Sequence, residues 1–139
     1  MLFRSLEHGT IVGSAGEGRT SAATRADFAE AAAVVLTTSG HAGRIYELGG
    51  DIAFTMADFA AEVSKQSGKK ITYKNLTQQA YKETLEGIGL PAEVANLVAD
   101  SDAKAASHGE LYTESRDLSR LIGRPTTSLA AAIAAGLPR

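Results

Sequence analysis

The sequence has no cysteine and no tryptophan, and aromatic residues make up only 6% of it. Without cysteine there can be no disulfide, no thiolate nucleophile and no thiolate metal ligand, and a reducing cytoplasm is permitted as its location. A dominant charge is missing too. The 14 Lys+Arg stand against 16 Asp+Glu, a formal net charge of −2, which gives neither nucleic acid nor an anionic membrane an electrostatic reason to bind. No apolar run approaches the roughly 18 residues of a membrane span. The opening MLFRSLEHG has too little apolar length for a signal peptide.

Catalytic signatures are just as scarce. His8, His41 and His108 are scattered and lack metal-ligand spacing, so no metal site is expected. The string G-x-S-x-G of a serine nucleophile does not occur. None of Tyr46, Tyr73, Tyr81 or Tyr112 has a lysine four residues later, so the Tyr-x-x-x-Lys pair of many short-chain dehydrogenases is absent as well. Composition leaves a soluble chain of 139 residues, one domain, long enough to bury a core.

What the chain does have is centred on Ser21 to Gly50, SAATRADFAEAAAVVLTTSGHAGRIYELGG. Thr24 is placed to cap a helix, with Asp27 three residues on in a T-x-x-D capping box. Phe28, Ala31, Ala32, Val35 and Leu36 then recur at helical spacing and predict one buried face. Gly40 is placed to end the helix. Arg44–Leu48 reads as a short buried strand that exits at Gly49-Gly50. Helix, short loop and strand together suggest the last αβ unit of a layered sheet.

Around this centre the pattern predicts mostly helices. Met1 to His8 is expected to be helical up to Gly9, and Thr10-Ile11-Val12 to be a strand. Gly13 to Gly18 must turn, with Arg19 to Ala23 returning as the second arm of a hairpin. Thr55 and Asp58 cap a helix whose staple is Phe54 with Phe59, whose stripe is Met56, Phe59, Ala60 and Val63, and which Gly68 follows. Ile71-Thr72-Tyr73 is a second strand. Thr77 caps a helix through Tyr81 and Leu85. Pro91 suits the first turn of the next, with Val94, Leu97 and Val98 inward. Ala99 to Tyr112 is ambiguous, with loop at His108-Gly109. Ser115 opens a short helix carrying Leu118, Leu121 and Ile122. Gly123 ends that helix, and Thr126 or Thr127 caps the last one through Leu129 and Ile133.

Several of these landmarks, in this order, resemble a known family. The run T-R-A-D-F-A-E-A-A-A, the exit Tyr46-Glu47-Leu48-Gly49-Gly50, and the segments QSGKKITYKNLT, GLPAEVANLVADSD and LIGRPTTSLA are similar to the C-terminal half of NmrA-like, atypical short-chain dehydrogenases/reductases, nearest their NAD(P)H:quinone oxidoreductase branch. The resemblance implies an α/β fold: the C-terminal, substrate-side lobe of a Rossmann-type NAD(P)-binding fold, helix-rich with few short strands. It implies a chain without the family's N-terminal dinucleotide-binding half, a single partial domain over 1–139. NADPH or NADH serves the full-length family, and none is expected to bind this chain alone. The implied partner is a small quinone-like substrate, with homo-oligomerisation through the apolar surface that the other half covers. Lack of Tyr-x-x-x-Lys fits this group, and no catalytic residue can be named.

The residues expected to border the cleft are Ser21, Thr24 and Arg25, because ligands in such folds sit at strand C-terminal ends and adjoining helix N-termini. Thr24 either donates its hydroxyl there or caps its own helix. Arg25 either approaches an acidic or phosphate group or pairs with Asp27 or Glu30. A separate motif, Gly13 to Thr20 or GSAGEGRT, differs from the phosphate-binding loop G-x-x-x-x-G-K-[ST] only by Arg19 in place of lysine. Its helix is delayed by Ser21-Ala22-Ala23, so a glycine-rich turn is the stronger reading. Three functions therefore stand: an oxidoreductase lobe acting on quinones, an NAD(P)-sensing regulator without turnover, and a nucleotide hydrolase using GSAGEGRT.

Overall fold

A computed structural model describes residues 6–137; most of the helix expected over Met1 to His8 lies outside them, and 6–8 are helical. Two strands, β1 (Thr10–Gly13) and β2 (Thr72–Asn75), form a parallel pair with Thr10 opposite Thr72 and Gly13 opposite Asn75. Among the described residues, besides the helical 6–8, the α-helices around them are α1 (Arg25–Thr37), α2 (Met56–Ser67), α3 (Gln78–Gly87), α4 (Ala92–Asp100), α5 (Asp117–Ile122) and α6 (Leu129–Gly136). The architecture is α/β and helix-rich.

The period-2 alternation of β1 organises the core. Ile11 faces one way, into a cluster with Leu6, Ala60, Val63, Ile71 and Ile133 under α2 and α6. Val12 faces the other way, against Tyr81, Leu85, Ala95 and Ala99 of α3 and α4. The pair is thus sandwiched between two helical layers. A third cluster, Ala31 with Leu118 and Ile122, joins α1 to α5 at one side.

Capping explains where most helices begin. Thr55 accepts from the Asp58 amide at 3.1 Å while Asp58 Oδ2 accepts from the Thr55 amide at 2.9 Å, and Gly68 closes α2 in the left-handed conformation. Thr77 accepts from the Ala80 amide, and Thr24 from the Asp27 amide. The last cap differs from expectation. Ser128 accepts from Ala131, whereas Thr126 and Thr127 are bound to carboxylates elsewhere.

Other expectations also need correction. The Arg19–Ala23 stretch is not a hairpin arm. β1 pairs with β2, sixty residues on, and Thr20 makes a single antiparallel bridge to Phe54. Arg44–Leu48 is not a strand, because among the described residues it has no neighbour to complete a ladder, and Ile45 is 96% exposed. Gly49 and Gly50 serve close packing instead. A Cβ on Gly49 would lie 2.5 Å from Thr113 Cγ2, and one on Gly50 would lie 2.2 Å from the Ala22 carbonyl oxygen. On α1 the expected stripe is buried only at Ala31, and Leu36 is 83% exposed. Among the described residues α5 is the main helix against it, through Leu118 and Ile122. It ends at Thr38 rather than Gly40. On α4, Ala95 and Ala99 are buried and Val98 packs against their cluster, whereas Val94 and Leu97, both expected inward, are exposed. Pro91 takes the N-cap position of α4, and α5 begins at Asp117, whose amide Ser115 Oγ accepts.

The ambiguous stretch continues α4 as a π-helical turn, Ser101–Ala105, and a 3-10 turn, Ala106–His108, which Gly109 ends in the left-handed conformation. The carbonyl of Ala106 approaches Gly18 so closely that a Cβ there would sit 1.9 Å from its oxygen. Backbone against backbone cannot yield as a side chain can. Gly18→Ala is therefore expected to lower stability by about 3 kcal/mol, whereas Gly16→Ala, which meets nothing within 4 Å, should cost only its positive-φ strain. Urea unfolding of the two variants checks this contrast.

Candidate functional site

The GSAGEGRT loop leaves β1 directly, and β2 with the π-turn holds it in place. Ser14 donates its amide to Asp102 Oδ2 at 3.3 Å and its hydroxyl to the Leu76 carbonyl at 3.0 Å. The Ala15 amide donates to Tyr73 Oη, the Gly16 amide to Asn75 Oδ1, and the Gly18 amide to the Ala15 carbonyl. Several of the amides a phosphate would need are thus already bound within the protein. The next helix begins only at Arg25. Arg19 turns its guanidinium to the Ala53 carbonyl, 3.3 Å away. This loop therefore does not fit a nucleotide phosphate or the pyrophosphate of a dinucleotide. Its hydrogen-bond partners have shifted acidities. Burial raises the Asp102 carboxyl, with the Ser14 amide pulling against it. Burial raises the Tyr73 hydroxyl, opposed by the Ala15 amide and reinforced by Asp102. Tyr73 stays protonated and gives its proton to Asn75 Oδ1. Burial likewise pushes Tyr81 up to about 12.

The three residues expected at the cleft are placed within one short stretch and differ in role. Ser21 is buried and ties three segments together. Its hydroxyl donates to the Thr113 carbonyl and accepts from the Thr113 amide, both at 3.0 Å, while its amide reaches Leu111 and its carbonyl accepts from Gly50. Thr24 caps α1. Arg25 is exposed in the first turn of α1, with no hydrogen bond or ion pair among the described residues. Its anticipated partners are taken by Arg124, whose Nη2 is 2.8 Å from Asp27 Oδ1 and 2.5 Å from Glu30 Oε2.

Asp27 is the most deeply buried polar side chain among the described residues, with no exposed surface. Besides Arg124 it accepts from the Thr127 amide at 2.8 Å and the Thr127 hydroxyl at 3.1 Å. It therefore does not complete the reciprocal capping box expected of it. Burial alone would raise its pKa, but the Thr127 amide, the Arg124 guanidinium and the Thr127 and Thr24 hydroxyls outweigh burial and lower it to about 2. A second clamp lies beside it. Asp51 Oδ2 accepts from the Thr126 amide at 2.9 Å, Thr126 Oγ1 accepts from the Asp51 amide at 2.8 Å, and Asp51 Oδ1 forms an ion pair with Arg116 at 2.9 Å. Sequence spacing could not reveal Arg124, Asp51 or Arg116, because their partners lie 65 to 97 residues away.

Two cavities flank these clamps. One, of about 390 Å3, is lined by Ala22 to Thr24, Gly50 to Ile52, Phe54, Phe59, Pro125 to Leu129 and Ala132. The other, of about 440 Å3, is open and polar, bordered by Arg19, Tyr112, Glu114 and Arg116. Among the described residues no group of His, Asp or Glu could hold a metal ion, and no helix is long and apolar enough to cross a membrane. Both cavities are of a size that admits a small molecule, and no nucleophile–base pair is assembled among the described residues.

These features define a helix-rich α/β lobe built around one parallel strand pair. No family model matches the chain. It is 50% identical over 129 residues, 93% of its length, to quinone oxidoreductase 2 of Escherichia coli, of which that match covers 45%. The crystal structure of the NADPH-dependent quinone oxidoreductase of E. coli in complex with NADPH superposes with a TM-score of 0.93 at 48% identity, over 96% of this chain and 47% of that one. Triphenylmethane reductase of Citrobacter sp., complexed with NADP(H), gives a TM-score of 0.92 at 35% identity, over 98% and 47%. The chain is a homologue of quinone oxidoreductase 2 among NmrA-like, epimerase-fold proteins, and corresponds to its C-terminal half. It spans about half the length of the curated relatives it matches.

Two outcomes follow from this geometry. The Asp27 carboxyl has a folded pKa near 2 against an ordinary 3.8. Because the folded value is the lower one, its stabilisation is fully present above about pH 4 and is lost as pH falls through 2. A difference of this size is worth about 2 kcal/mol. Asp27→Asn should remove that part of the acid dependence of urea unfolding, and should cost about 3 kcal/mol at pH 7 by placing a neutral amide where the Thr127 amide and hydroxyl and Arg124 meet a buried carboxylate, with only Glu30 left to pair Arg124. For the glycine loop, Arg19→Lys should leave ATP binding undetectable by calorimetry. Micromolar affinity in either form would revive the hydrolase reading.

Proposed function

We propose that the chain works as the C-terminal, substrate-side lobe of an NAD(P)H-dependent oxidoreductase that passes hydride to quinone-like acceptors. The observation that carries this reading is a half-length match joined to a half-covered surface. The match spans 93% of this chain and 45% of the quinone oxidoreductase. Leu36, Ile45 and Ile52 are 83%, 96% and 77% exposed, and they fall within one stretch that includes an extended segment with no ladder partner. Apolar side chains beside open backbone are what a neighbouring parallel sheet covers. In this reading an NAD(P)-binding half supplies that sheet and the pyrophosphate turn, and this lobe supplies the opposite wall of the cleft. The lobe's part in hydride transfer is then orientation and exclusion of water. Of Ser21, Thr24 and Arg25, only Arg25 keeps its side chain free to meet a ligand. Without the other half, the same apolar stretch favours self-association.

A second reading, NAD(P) sensing without turnover, draws support from a relative named for development rather than for a reaction. Prestalk A differentiation protein A of Dictyostelium discoideum is 29% identical over 81% of this chain and 34% of its own length.

NADPH fluorescence titration separates the two. The 139-residue chain alone is expected to show no saturable binding. A fusion carrying the N-terminal half of E. coli quinone oxidoreductase 2 ahead of it is expected to bind NADPH and reduce a soluble quinone. Tight binding by the chain alone would overturn the division of labour. A fusion that binds NADPH but reduces no quinone would favour the sensing reading.

A further inference from the structure

Asp102 is a half-buried carboxylate whose charge the fold leaves unbalanced. It sits in the π-helical turn Ser101–Ala105, which departs from the regular path of α4. Its Oδ2 meets the loop that leaves β1. A Cβ on Gly13 would lie 3.2 Å from that oxygen and 3.1 Å from Tyr73 Oη, which places the two oxygens close together against Gly13.

No cation answers this charge. Lys104, on the same turn, lies 2.5 Å from Asp100 Oδ1 instead, and among the described residues no lysine, arginine or histidine forms an ion pair with Asp102. The titratable groups that face it from other elements are Tyr73 of β2 and Tyr81 of α3. Neither gives it a proton. Tyr73 donates to Asn75 Oδ1, and the buried Tyr81 makes no hydrogen bond to Asp102. What remains is the Ser14 amide at 3.3 Å, just beyond the usual N–H···O range.

A carboxylate so placed is costly when ionised and cheap when neutral, because one long amide contact offsets only part of the burial penalty. Asp27 is the opposite case, since its donors outweigh burial. The linkage at Asp102 therefore has the reverse sign. Its folded pKa is the higher one, so its contribution to stability is present at acid pH and is lost as pH rises through the folded value. The contacts around it couple two segments. The Ala106 carbonyl, just past the π-turn, closes on Gly18 too tightly for any Cβ, and the Ala15 and Gly18 amides are bound to Tyr73 Oη and to the Ala15 carbonyl.

We propose that Asp102 is an acid-closed latch between the π-turn and the glycine-rich loop. With its carboxyl neutral the turn packs against Gly13 to Gly18, and with its carboxyl ionised that contact loosens and the loop opens more often. The latch requires neither NAD(P)H nor a quinone, so it does not rest on the oxidoreductase reading.

Amide hydrogen exchange of the full chain, followed by NMR between about pH 4 and pH 8, tests it. Asp102→Asn keeps the shape of the side chain and an acceptor for Ser14 but carries no charge. The protection factors of Ala15 and Gly18 in this variant, divided by those of the parent, are expected to approach unity at the acid end and to rise to about threefold or more at the alkaline end. Asp102→Ala removes the acceptor as well. It should abolish the same pH dependence while lowering protection throughout, and it decides the matter if the asparagine variant does not fold. Asp100→Asn, on the same turn but exposed to Lys104, should exchange as the parent does. The latch is overturned if the Asp102→Asn ratio stays flat or falls with rising pH, if Asp102→Ala keeps the parent's pH dependence, or if Asp100→Asn shows the same rise.

Discussion

A carboxylate with no access to water must be met by donors from the protein, and Asp27 imposes that condition on the whole side of the molecule around α1. Its donors come from 97 and 100 residues away, as Arg124 and Thr127. Once they are in place, the α5–α6 connection is fixed against the first turn of α1. Thr126, between them in sequence, is then positioned to clamp Asp51. Asp51 in turn holds Arg116 at the start of α5. The short α5, six residues with only Leu118 and Ile122 buried, would be marginal by propensity alone. It is held because this chain of ion pairs and amide contacts brackets it at both ends.

The parallel pair β1–β2 plays the corresponding part for the other half of the molecule. Two four-residue strands do not stand alone in water. They persist because Ile11 and Val12 face opposite helical layers, and because side chains leaving β2, Tyr73 and Asn75, bind the loop that leaves β1. That arrangement converts a phosphate-loop lookalike into a structural turn. Glycine is required at Gly18 by the approach of the Ala106 carbonyl, not by an anion. The same turn accounts for the raised pKa of Tyr73 and of Asp102, in each of which burial is the largest cause.

Between these two well-covered regions lies an exposed apolar stretch. Ile45 and Leu36 stand in water although their pattern is that of buried residues. The extended segment between them and Gly50 is tied only at a few points. Thr38 Oγ1 donates to the Val34 carbonyl and so accepts from His41 Nε2, which leaves Nδ1 to accept the Tyr46 hydroxyl at 2.7 Å. The Glu47 amide donates to Asp117. Local contacts of this kind can hold a segment extended without a ladder. A sheet brought alongside would find its backbone groups free and its apolar side chains facing outward.

Sequence by itself determined the elements whose signals are local. The caps at Thr24, Thr55 and Thr77, the stop at Gly68, and the inward residues Ala60, Val63, Tyr81, Leu85, Leu118, Ile122 and Ile133 follow from spacing and side-chain chemistry within a few residues. The likeness to NmrA-like oxidoreductases was legible for the same reason, since it rests on the order of such landmarks. Tertiary structure alone decided the partners of each. A strand is completed by another chain segment, so nothing within Thr10–Gly13 could specify β2 over Arg19–Ala23, and nothing within Arg44–Leu48 could show that its ladder would be missing. Burial of α1 depended on how many layers cover it, which its own periodicity cannot state. Asp27 read as a capping residue because its amide is bound locally, while its carboxylate went to donors that only the fold brings near. Thr126 and Thr127, equally good caps by composition, lost that role to Ser128 because two distant aspartates claimed them first.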